Sequence, residues 1–298
     1  MLFRSKPRIS QLASSIDADV ANSFKYIGNS VGTPGTTPAT SLVLLQAQQK
    51  LNENAAVMSP RYATVNPAAN AALIEGMKGL FNPVSAISKQ FKNGMFGEGI
   101  LGYDELNMSQ SIKQFTTGSR TGTVTVSSTV TSEGSTTVVL TGLGSTTIKA
   151  GDVFTIANVY AVNPQTREST GSLYQFVALA DVTASTTASV TVPAMYSATQ
   201  ALATVDALPV ATAAVTFLGS ASTQYPQNLI YHRDAIAFAT ADLLMPQGVD
   251  MASRQVHNGI SLRVVRQYDI NNDRLPCRID VLYGYSVIRP QMAVRLWG

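Results

Sequence analysis

The clearest hydrophobic pattern in the chain lies near its carboxyl end, where apolar residues occupy every second position. In the segment 277–283 one set of alternate positions is apolar; this set is Cys277, Ile279, Val281 and Tyr283. A period of two predicts a strand with one face packed on a core, and Cys277 would then be a small buried hydrophobe. Residues 260–264 repeat the alternation, and the polar stretch 269–274 predicts a turn. We therefore expect a β-hairpin, followed by a further strand over 292–296.

Helical periodicity replaces this alternation at the start of the chain. Apolar residues three and four positions apart form one stripe from Ile9 to Ile27, which predicts an amphipathic helix. Gly28, Gly32 and Pro34 predict that the helix ends there and that a loop follows.

Two further helices are predicted before residue 80. Thr40 or Ser41 is a suitable N-cap for a helix that ends near Asn54. The inward residues of this helix would be Leu42, Leu45 and Leu51. After a short predicted strand over 56–65, Asn66-Pro67 favours the start of a third helix, because proline is well tolerated in the first turn. Its packing face would be formed by Leu73, Ile74 and Met77.

The middle of the chain is rich in hydroxyl side chains. From Ser119 to Ser222 there are 34 serine or threonine residues in 104 positions, and only eight charges. Turn residues separate six short β-type runs, which are 123–126, 136–140, 152–159, 173–179, 188–192 and 213–218. This spacing predicts a small all-β barrel or sandwich.

The segment 228–243 is predicted to be helical or mixed. The chain would then divide into 1–118, 119–222 and 223–298, with the β-rich part inserted between flanks that belong together.

Composition narrows the possible functions. Charged residues make up 13% of the 298 residues and the net charge is +3, which is too small to predict nucleic-acid binding. The positive charge is local, because seven arginines and four aspartates lie between Asp250 and the end of the chain. The guanidinium group is favoured in ion pairs at interfaces. We therefore expect inter-subunit ion pairs from Arg263, Arg278, Arg289 and Arg295.

Residue patterns typical of catalysis or metal binding are not found in the sequence. His232 and His257 are far apart and have no cysteine or carboxylate at metal-ligand spacing. The glycines of 94–102 lack the strand and helix that a phosphate-binding loop requires, so a mobile loop is predicted there. The single cysteine, and the lack of a leader or a long apolar span, predict a soluble protein made in a cytoplasm. We predict no enzyme activity, no cofactor and no metal site.

Several short motifs resemble the major capsid proteins of tailed bacteriophages. They are Cys277-Arg278-Ile279, Tyr283-Gly284 and Arg289-Pro290 near the carboxyl end, and Lys149-Ala-Gly-Asp-Val-Phe-Thr-Ile156 in the β-rich part. The order helix, strand, Asn-Pro, helix in the first part of the chain is similar to the axial domain of these subunits. The chain most resembles the group typified by the coat protein of a short-tailed Salmonella phage, which carries an inserted β domain.

This resemblance implies an α+β protein with the Hong Kong 97-type capsid fold. That fold has a spine helix, an axial α/β domain and a peripheral β-sheet, here with a small β-barrel inserted. The implied function is self-assembly into hexamers and pentamers of an icosahedral head around double-stranded DNA, which the shell would contact non-specifically. The resemblance also implies a scaffolding protein, a portal and a decoration protein as partners. It implies no membrane partner. The protein would be made in the host cytoplasm and end in the virion.

Two other functions stay open from the sequence alone. One is a carbohydrate-binding or adhesive β module, and the other is the shell of a bacterial nanocompartment, which has the same fold. Subunits of the resembled family begin with an extended arm and a long β-hairpin before the spine helix, whereas here a helix is predicted almost from Met1. The resemblance therefore implies either a shortened chain or another chain that supplies these parts.

Overall fold

The amphipathic stripe at the start of the chain forms helix α1 (Ser5–Val20), which continues as a 3-10 helix over Ala21–Tyr26. The computed structural model describes residues 5–77, 97–257 and 259–298, and over these residues it is a mixed α/β structure with more strands than helices. The chain forms two compact units. One contains the described residues up to Ala235 together with Arg289–Gly298, and the other is Ile236–Ile288.

The strands and the other two described α-helices are numbered in chain order. The helices are α2 (Ser41–Glu53) and α3 (Pro67–Met77). The strands are β1 (Ser30–Val31), β2 (Arg61–Val65), β3 (Gly97–Ile100), β4 (Tyr103–Met108), β5 (Gln114–Thr116), β6 (Thr125–Val126), β7 (Ser135–Thr141), β8 (Thr146–Ile148), β9 (Val153–Val162), β10 (Ser169–Val177), β11 (Val182–Ala184), β12 (Thr187–Met195), β13 (Val215–Phe217), β14 (Gln224–His232), β15 (Ile236–Ala241), β16 (Met251–His257), β17 (Ile260–Arg266), β18 (Cys277–Val287) and β19 (Ala293–Trp297).

The main sheet of the first unit has the strand order β1-β19-β14-β2-β4-β3, and β5 pairs with the beginning of β14. Helices α2 and α3 contribute to one apolar cluster with this sheet; its members include Leu44, Leu51, Leu73, Leu106, Ile230, Val294 and Leu296. Helix α3 starts at the predicted Asn-Pro step. The Asn66 side chain caps it, because Asn66 Oδ1 accepts a hydrogen bond from the Ala69 N–H at 2.8 Å.

The predicted inward face of α2 is wrong in two of its three positions. Leu42 and Leu45 are 60% and 42% exposed, whereas Leu44, Ala47 and Leu51 are fully buried. The buried set has spacings of three and four, which keep its members on one helical stripe. Leucines on two adjacent faces made the sequence ambiguous, and only one of these faces meets the sheet.

Residues 97–102 belong to a β-hairpin, so the mobile loop predicted there is wrong for this part; Gly94 lies outside the described residues. Strands β3 and β4 are antiparallel, with Ile100 opposite Tyr103. The two residues between them, Leu101 and Gly102, have φ angles of 53° and 78°. Positive φ at both central positions is typical of the tight turns that match strand twist.

All six predicted β runs of the segment 119–222 contain strands, with shifted ends. These strands and the short β8 and β11 form three small sheets, ordered β10-β9-β13, β11-β8 and β12-β7-β6. Apolar side chains from all three sheets enclose one core, which includes Val138, Leu140, Phe154, Phe176 and Val190. We call residues 119–222 the β-rich segment.

The helical or mixed prediction for 228–243 is wrong, because β14 and β15 occupy most of it, with a 3-10 turn at Arg233–Ala235 between them. Strand β14 lies between β19 and β2 and is buried on both faces, including Gln227 and Asn228. A strand buried on both faces loses the alternation that identifies a half-exposed strand.

The second unit is a four-stranded antiparallel sheet with the order β15-β18-β17-β16. It confirms the predicted hairpin, in which Val264 lies opposite Ile279 and the connection bends at Asp269–Arg274. Among the described side chains of this unit, only Ser261 is buried. The unit therefore has no apolar core of its own over the described residues.

Candidate interaction surfaces and a buried arginine site

The sheet of the second unit has two chemically different faces. Residues that lie opposite one another in an antiparallel pair have side chains on the same face. Phe238 lies opposite Tyr285, and Leu262 lies opposite Val281. The face that they share, which we call the apolar face, carries ten apolar residues: Ile236, Phe238, Ile260, Leu262, Val264, Ile279, Val281, Tyr283, Tyr285 and Val287. The same register places the polar side chains of Thr240, Ser253, Gln255 and Arg266 at the edges of this face.

None of the ten residues of the apolar face is buried, and Phe238 is 40% exposed. Cys277 lies on the same face, as predicted, but it is exposed rather than buried. The alternation correctly grouped these side chains, yet no described residue of this unit buries them. A contiguous apolar surface of this kind typically marks a site of protein–protein contact.

The opposite face carries three of the arginines, and we call it the charged face. Arg263 lies opposite Asp280 on one side and opposite Arg254 on the other. The Asp280 carboxylate accepts from Arg263 Nη2 at 2.5 Å and from Arg278 Nε at 2.8 Å. The hydrogen bond from Arg263 is the main reason why the pKa of Asp280 is lowered below its usual range. One carboxylate thus serves two guanidinium groups.

Two more ion pairs lie at the margin of this sheet. Arg254 Nη1 is 3.2 Å from Asp242 Oδ2, and Arg266 Nη2 is 2.7 Å from Asp250 Oδ2. The side chains are well exposed, so each pair contributes about 0–1 kcal/mol to stability. The charges of Arg254 and Arg266 are therefore locally compensated.

The structure separates the four arginines that the sequence grouped together. Arg278 is 71% exposed on the charged face and Arg289 is exposed, so both side chains can reach a partner. Arg263 is mostly covered by its pair with Asp280.

Arg295 has 0% exposure, and the expectation of an inter-subunit ion pair from it is wrong for this structure. Strand β19 is buried on both faces, so the side chain that alternates with Val294 and Leu296 also points into the protein.

The Arg295 guanidinium is held by two hydrogen bonds and three aromatic rings. Nε donates to Gln227 Oε1 at 2.8 Å, and Nη1 donates to the Gly151 carbonyl at 2.6 Å. The ring centroids of Phe24, Phe115 and Trp297 lie 5.1, 5.6 and 5.0 Å from its Cζ, which is cation–π range. Burial lowers the pKa of Arg295 to about 9, which leaves the group charged at neutral pH.

A second buried charge lies next to Gly151 in the chain. The Asp152 carboxylate is fully buried, and it pairs with Arg120 Nη1 at 2.5 Å. Asp152 Oδ2 also accepts from the backbone N–H groups of Gly118 and Lys149, at 3.1 and 2.9 Å. The Arg120 guanidinium stacks over Phe217 at 4.6 Å. Sequence reasoning missed this cluster, because its members are distant in the chain.

The remaining candidate residues have structural environments. His232 is buried; its Nδ1 accepts from the Asp234 N–H at 3.2 Å, and its other ring nitrogen lies 3.4 Å from the Ser59 carbonyl oxygen. The side chain of His257 lies outside the described residues. Over the described residues, no group of three or more acidic, histidine or cysteine side chains is placed to hold a metal ion.

A cavity of about 480 Å³ lies between the 3-10 helix and the β-rich segment. Its described lining includes Tyr26, Asn29, Tyr174, Gln175 and Tyr196, and it contains no carboxylate, histidine, lysine or arginine. Tyrosine is the one side chain among those typical of general acid–base catalysis that this described lining contains.

Comparison with known families gives a match over almost the whole chain. A family model described as "P22 coat protein - gene protein 5" matches residues 3–298. The chain belongs to this coat protein family. The P22 coat protein family is structural, which fits the interpretation that the chain is not an enzyme and supports a structural role in a phage capsid. The comparison with curated proteins finds no match.

Solved structures similar to this coat protein include two from phages. A chain described as "Mycobacterium phage Che8" is similar over 98% of this chain, at 12% identity and a TM-score of 0.46. The match covers 61% of the mycobacteriophage chain, so the coat protein described here spans less than two thirds of its length. The "CUS-3 coat protein I-domain" is similar over 34% of this chain and 98% of its own, at 27% identity and a TM-score of 0.26.

The described part of this coat protein contains no helix with the length and apolar character needed to span a membrane.

Proposed function

We propose that the chain is the shell-forming subunit of a tailed-phage head. It would have the Hong Kong 97-type fold with residues 119–222 as an inserted β-barrel domain, and would assemble into hexamers and pentamers around double-stranded DNA. The observation that carries this proposal is the coat protein family match over residues 3–298. The family favours a phage shell over a bacterial nanocompartment, and a shell over an adhesive module.

The second unit supplies the physical support for self-assembly. Its apolar face has no buried member, and a four-stranded sheet without a core gains most of its stability from what covers it. In a coat protein the abundant partner is a second copy of the chain. We propose that subunit contacts cover the apolar face. We also propose that Arg278 and Arg289, with Arg263 beside Asp280, form ion pairs with carboxylates of neighbouring subunits, which the guanidinium fork recognises.

Other partners follow from the same proposal. A scaffolding protein and a portal would act during assembly, and a decoration protein would bind the finished shell. Contact with packaged DNA would be non-specific and electrostatic, which the net charge of +3 permits without requiring it.

Electron microscopy of the purified chain by negative stain, together with its mass in solution, tests the proposal. Closed shells or rings of five and six subunits are the expected result. A monomer of about 31.6 kDa at every concentration, with no rings even after addition of crowding agents, would contradict it.

Arg278→Ala and Arg289→Ala should lower the yield of assembled particles while the circular dichroism of the subunit stays unchanged. Unchanged particle yields would show that these two arginines form no ion pair that assembly needs.

A further inference from the structure

The β-rich segment is attached to the main sheet by more than its two chain connections. These connections, residues 117–120 and 218–223, are bonded to each other and form a neck. The Thr117 N–H donates to Thr223 O at 3.0 Å, and the Ser222 N–H donates to Gly118 O at 3.1 Å. A segment held at a neck alone could pivot about it.

The first contact away from the neck joins β10 to β1. The N–H of Ser30 donates to Gln175 Oε1 at 2.7 Å, and Gln175 Nε2 donates to the Ser30 carbonyl at 3.0 Å. The side-chain amide of Gln175 thus pairs with the backbone of Ser30 as another peptide group would. Next to it, a Cβ on Gly28 would come within 2.6 Å of the Gln175 carbonyl oxygen, so the two backbone segments approach very closely here.

The second contact is the hydrogen bond from Arg295 Nη1 to the carbonyl of Gly151. Gly151 has a φ of +101°, which strains any residue with a side chain, and a Cβ there would lie 3.3 Å from side-chain atoms of Lys25 and Phe115. The turn that presents this carbonyl is fixed on its other side. Asp152 accepts from the Lys149 N–H and pairs with Arg120 of the neck.

Arg295 itself is held from the main sheet by Gln227 and the three aromatic rings. Removing its partner carbonyl would leave a buried cation short of hydrogen bonds, which is costly in a protein interior. The contact therefore opposes any movement of the β-rich segment away from β19. This agrees with the placement of the β-rich segment in the same compact unit as the main sheet.

We infer that Arg295 and Gln175 are positioning residues that fix one orientation of the β-rich segment on the main sheet. Together with the neck, their contacts give three separated points of attachment, and three points define the orientation of a rigid body. The β-rich segment is thus a locked part of the subunit and not an appendage that pivots at its neck.

Hydrogen exchange of the full chain, measured by mass spectrometry, tests this inference with the variant Arg295→Met. Methionine keeps an unbranched apolar stem among the rings but cannot donate to Gly151. Exchange at the turn 149–152 and at Ser30 should rise roughly tenfold, because local opening now breaks fewer charged hydrogen bonds. Exchange in the β7–β12 pairing, inside the β-rich segment, should stay unchanged.

Arg61→Met is the matched control. Arg61 is also fully buried, but it donates to the carbonyls of Val57 and Ala56 and to the side-chain Oδ1 of Asn52. This variant should raise exchange at the end of α2 and in β2 and leave the turn 149–152 as it was. If Arg61→Met affects that turn as much as Arg295→Met does, or if Arg295→Met raises exchange uniformly or not at all, the inference is wrong.

Gln175→Ala keeps the test decisive if Arg295→Met does not fold. The Gln175 side chain is partly exposed, so its loss creates no buried cavity. Exchange at Ser30 should rise directly, and exchange at 149–152 should rise several-fold because both contacts restrain the same movement. If exchange at 149–152 is unchanged in this variant, the inference that both contacts restrain the same movement is wrong.

Discussion

The β-rich segment and the sheet of the second unit are both built from short antiparallel strands, but only the first has an interior. Eighteen buried apolar residues form the core of the β-rich segment, whereas the described residues of 236–288 bury only Ser261. Both regions show apolar alternation in the sequence. The alternation predicts which side chains share a face. It does not predict whether other residues of the same subunit bury that face.

The largest expected effect comes from separating the two regions. A peptide of residues 117–223, which includes the bonded neck, should fold alone and unfold cooperatively, because it keeps its whole core. A peptide of residues 236–288 should remain unfolded or associate, because it has no core to bury. Circular dichroism during heating and the dispersion of amide NMR signals measure the difference. A cooperative monomeric transition in the peptide 236–288 would break the comparison.

Truncating one aromatic side chain in each region should reproduce the contrast on a smaller scale. Phe154→Ala, in the core of the β-rich segment, should lower the free energy of unfolding by about 3–5 kcal/mol. Phe238→Ala, on the apolar face, should change it by less than about 0.5 kcal/mol in the unassembled subunit. Urea titration followed by fluorescence measures both values. Equal losses would mean that the apolar face is already covered within the subunit.

A charge on the apolar face should block assembly without unfolding the subunit. Phe238→Asp is expected to reduce the yield of particles to less than about a tenth, because burying an unpaired carboxylate costs several kcal/mol. Ala239→Asp is the matched control, since it places the same residue one position away on the opposite face. Sedimentation velocity compares the two. Equal yields in both variants would remove the apolar face from the proposed interface.

The smallest expected effect concerns the shared carboxylate of the charged face. The pKa of Asp280 is lower in the folded protein than its ordinary value of 3.8, so its ion pairs stabilise the fold above that value. Their contribution is lost as the pH falls below 3.8 and through the lowered pKa. At neutral pH Asp280→Asn should be less stable than the natural chain by about 0–1 kcal/mol, and the difference should vanish in acid. Urea titrations of both proteins across this pH range measure it, and a difference that grows in acid would contradict the assignment.

The sequence predicted secondary structure best where the local pattern alone determines which side chains are buried. The Asn66-Pro67 helix start and the hairpin of β17 and β18 depend on local spacing and turn chemistry, and both are confirmed. The helix predicted from Ile9 to Ile27 is confirmed in part, because the α-helix ends at Val20, a 3-10 helix continues to Tyr26, and Ile9 is exposed. The predictions failed where burial is decided by distant parts of the chain. Strand β14 lost its alternation because neighbours cover both of its faces.

Arg295 shows why the buried site was beyond sequence reasoning. Its position next to Val294 and Leu296 predicts a polar face of a strand, and charged side chains on such a face are usually solvated. It is buried because Gly151 and the ring of Phe24 reach it from segments more than a hundred residues away. The local signal for an interior arginine is therefore no different from that for a surface arginine.

The exposed thiol of Cys277 has a practical consequence. The chain contains one cysteine, so a thiol-reactive dye attaches at one known place, at the first residue of β18 on the apolar face. Every subunit then carries the same reporter with a stoichiometry of one. The rate of labelling before and after particles form records directly whether that end of the face has become inaccessible, without any engineered residue.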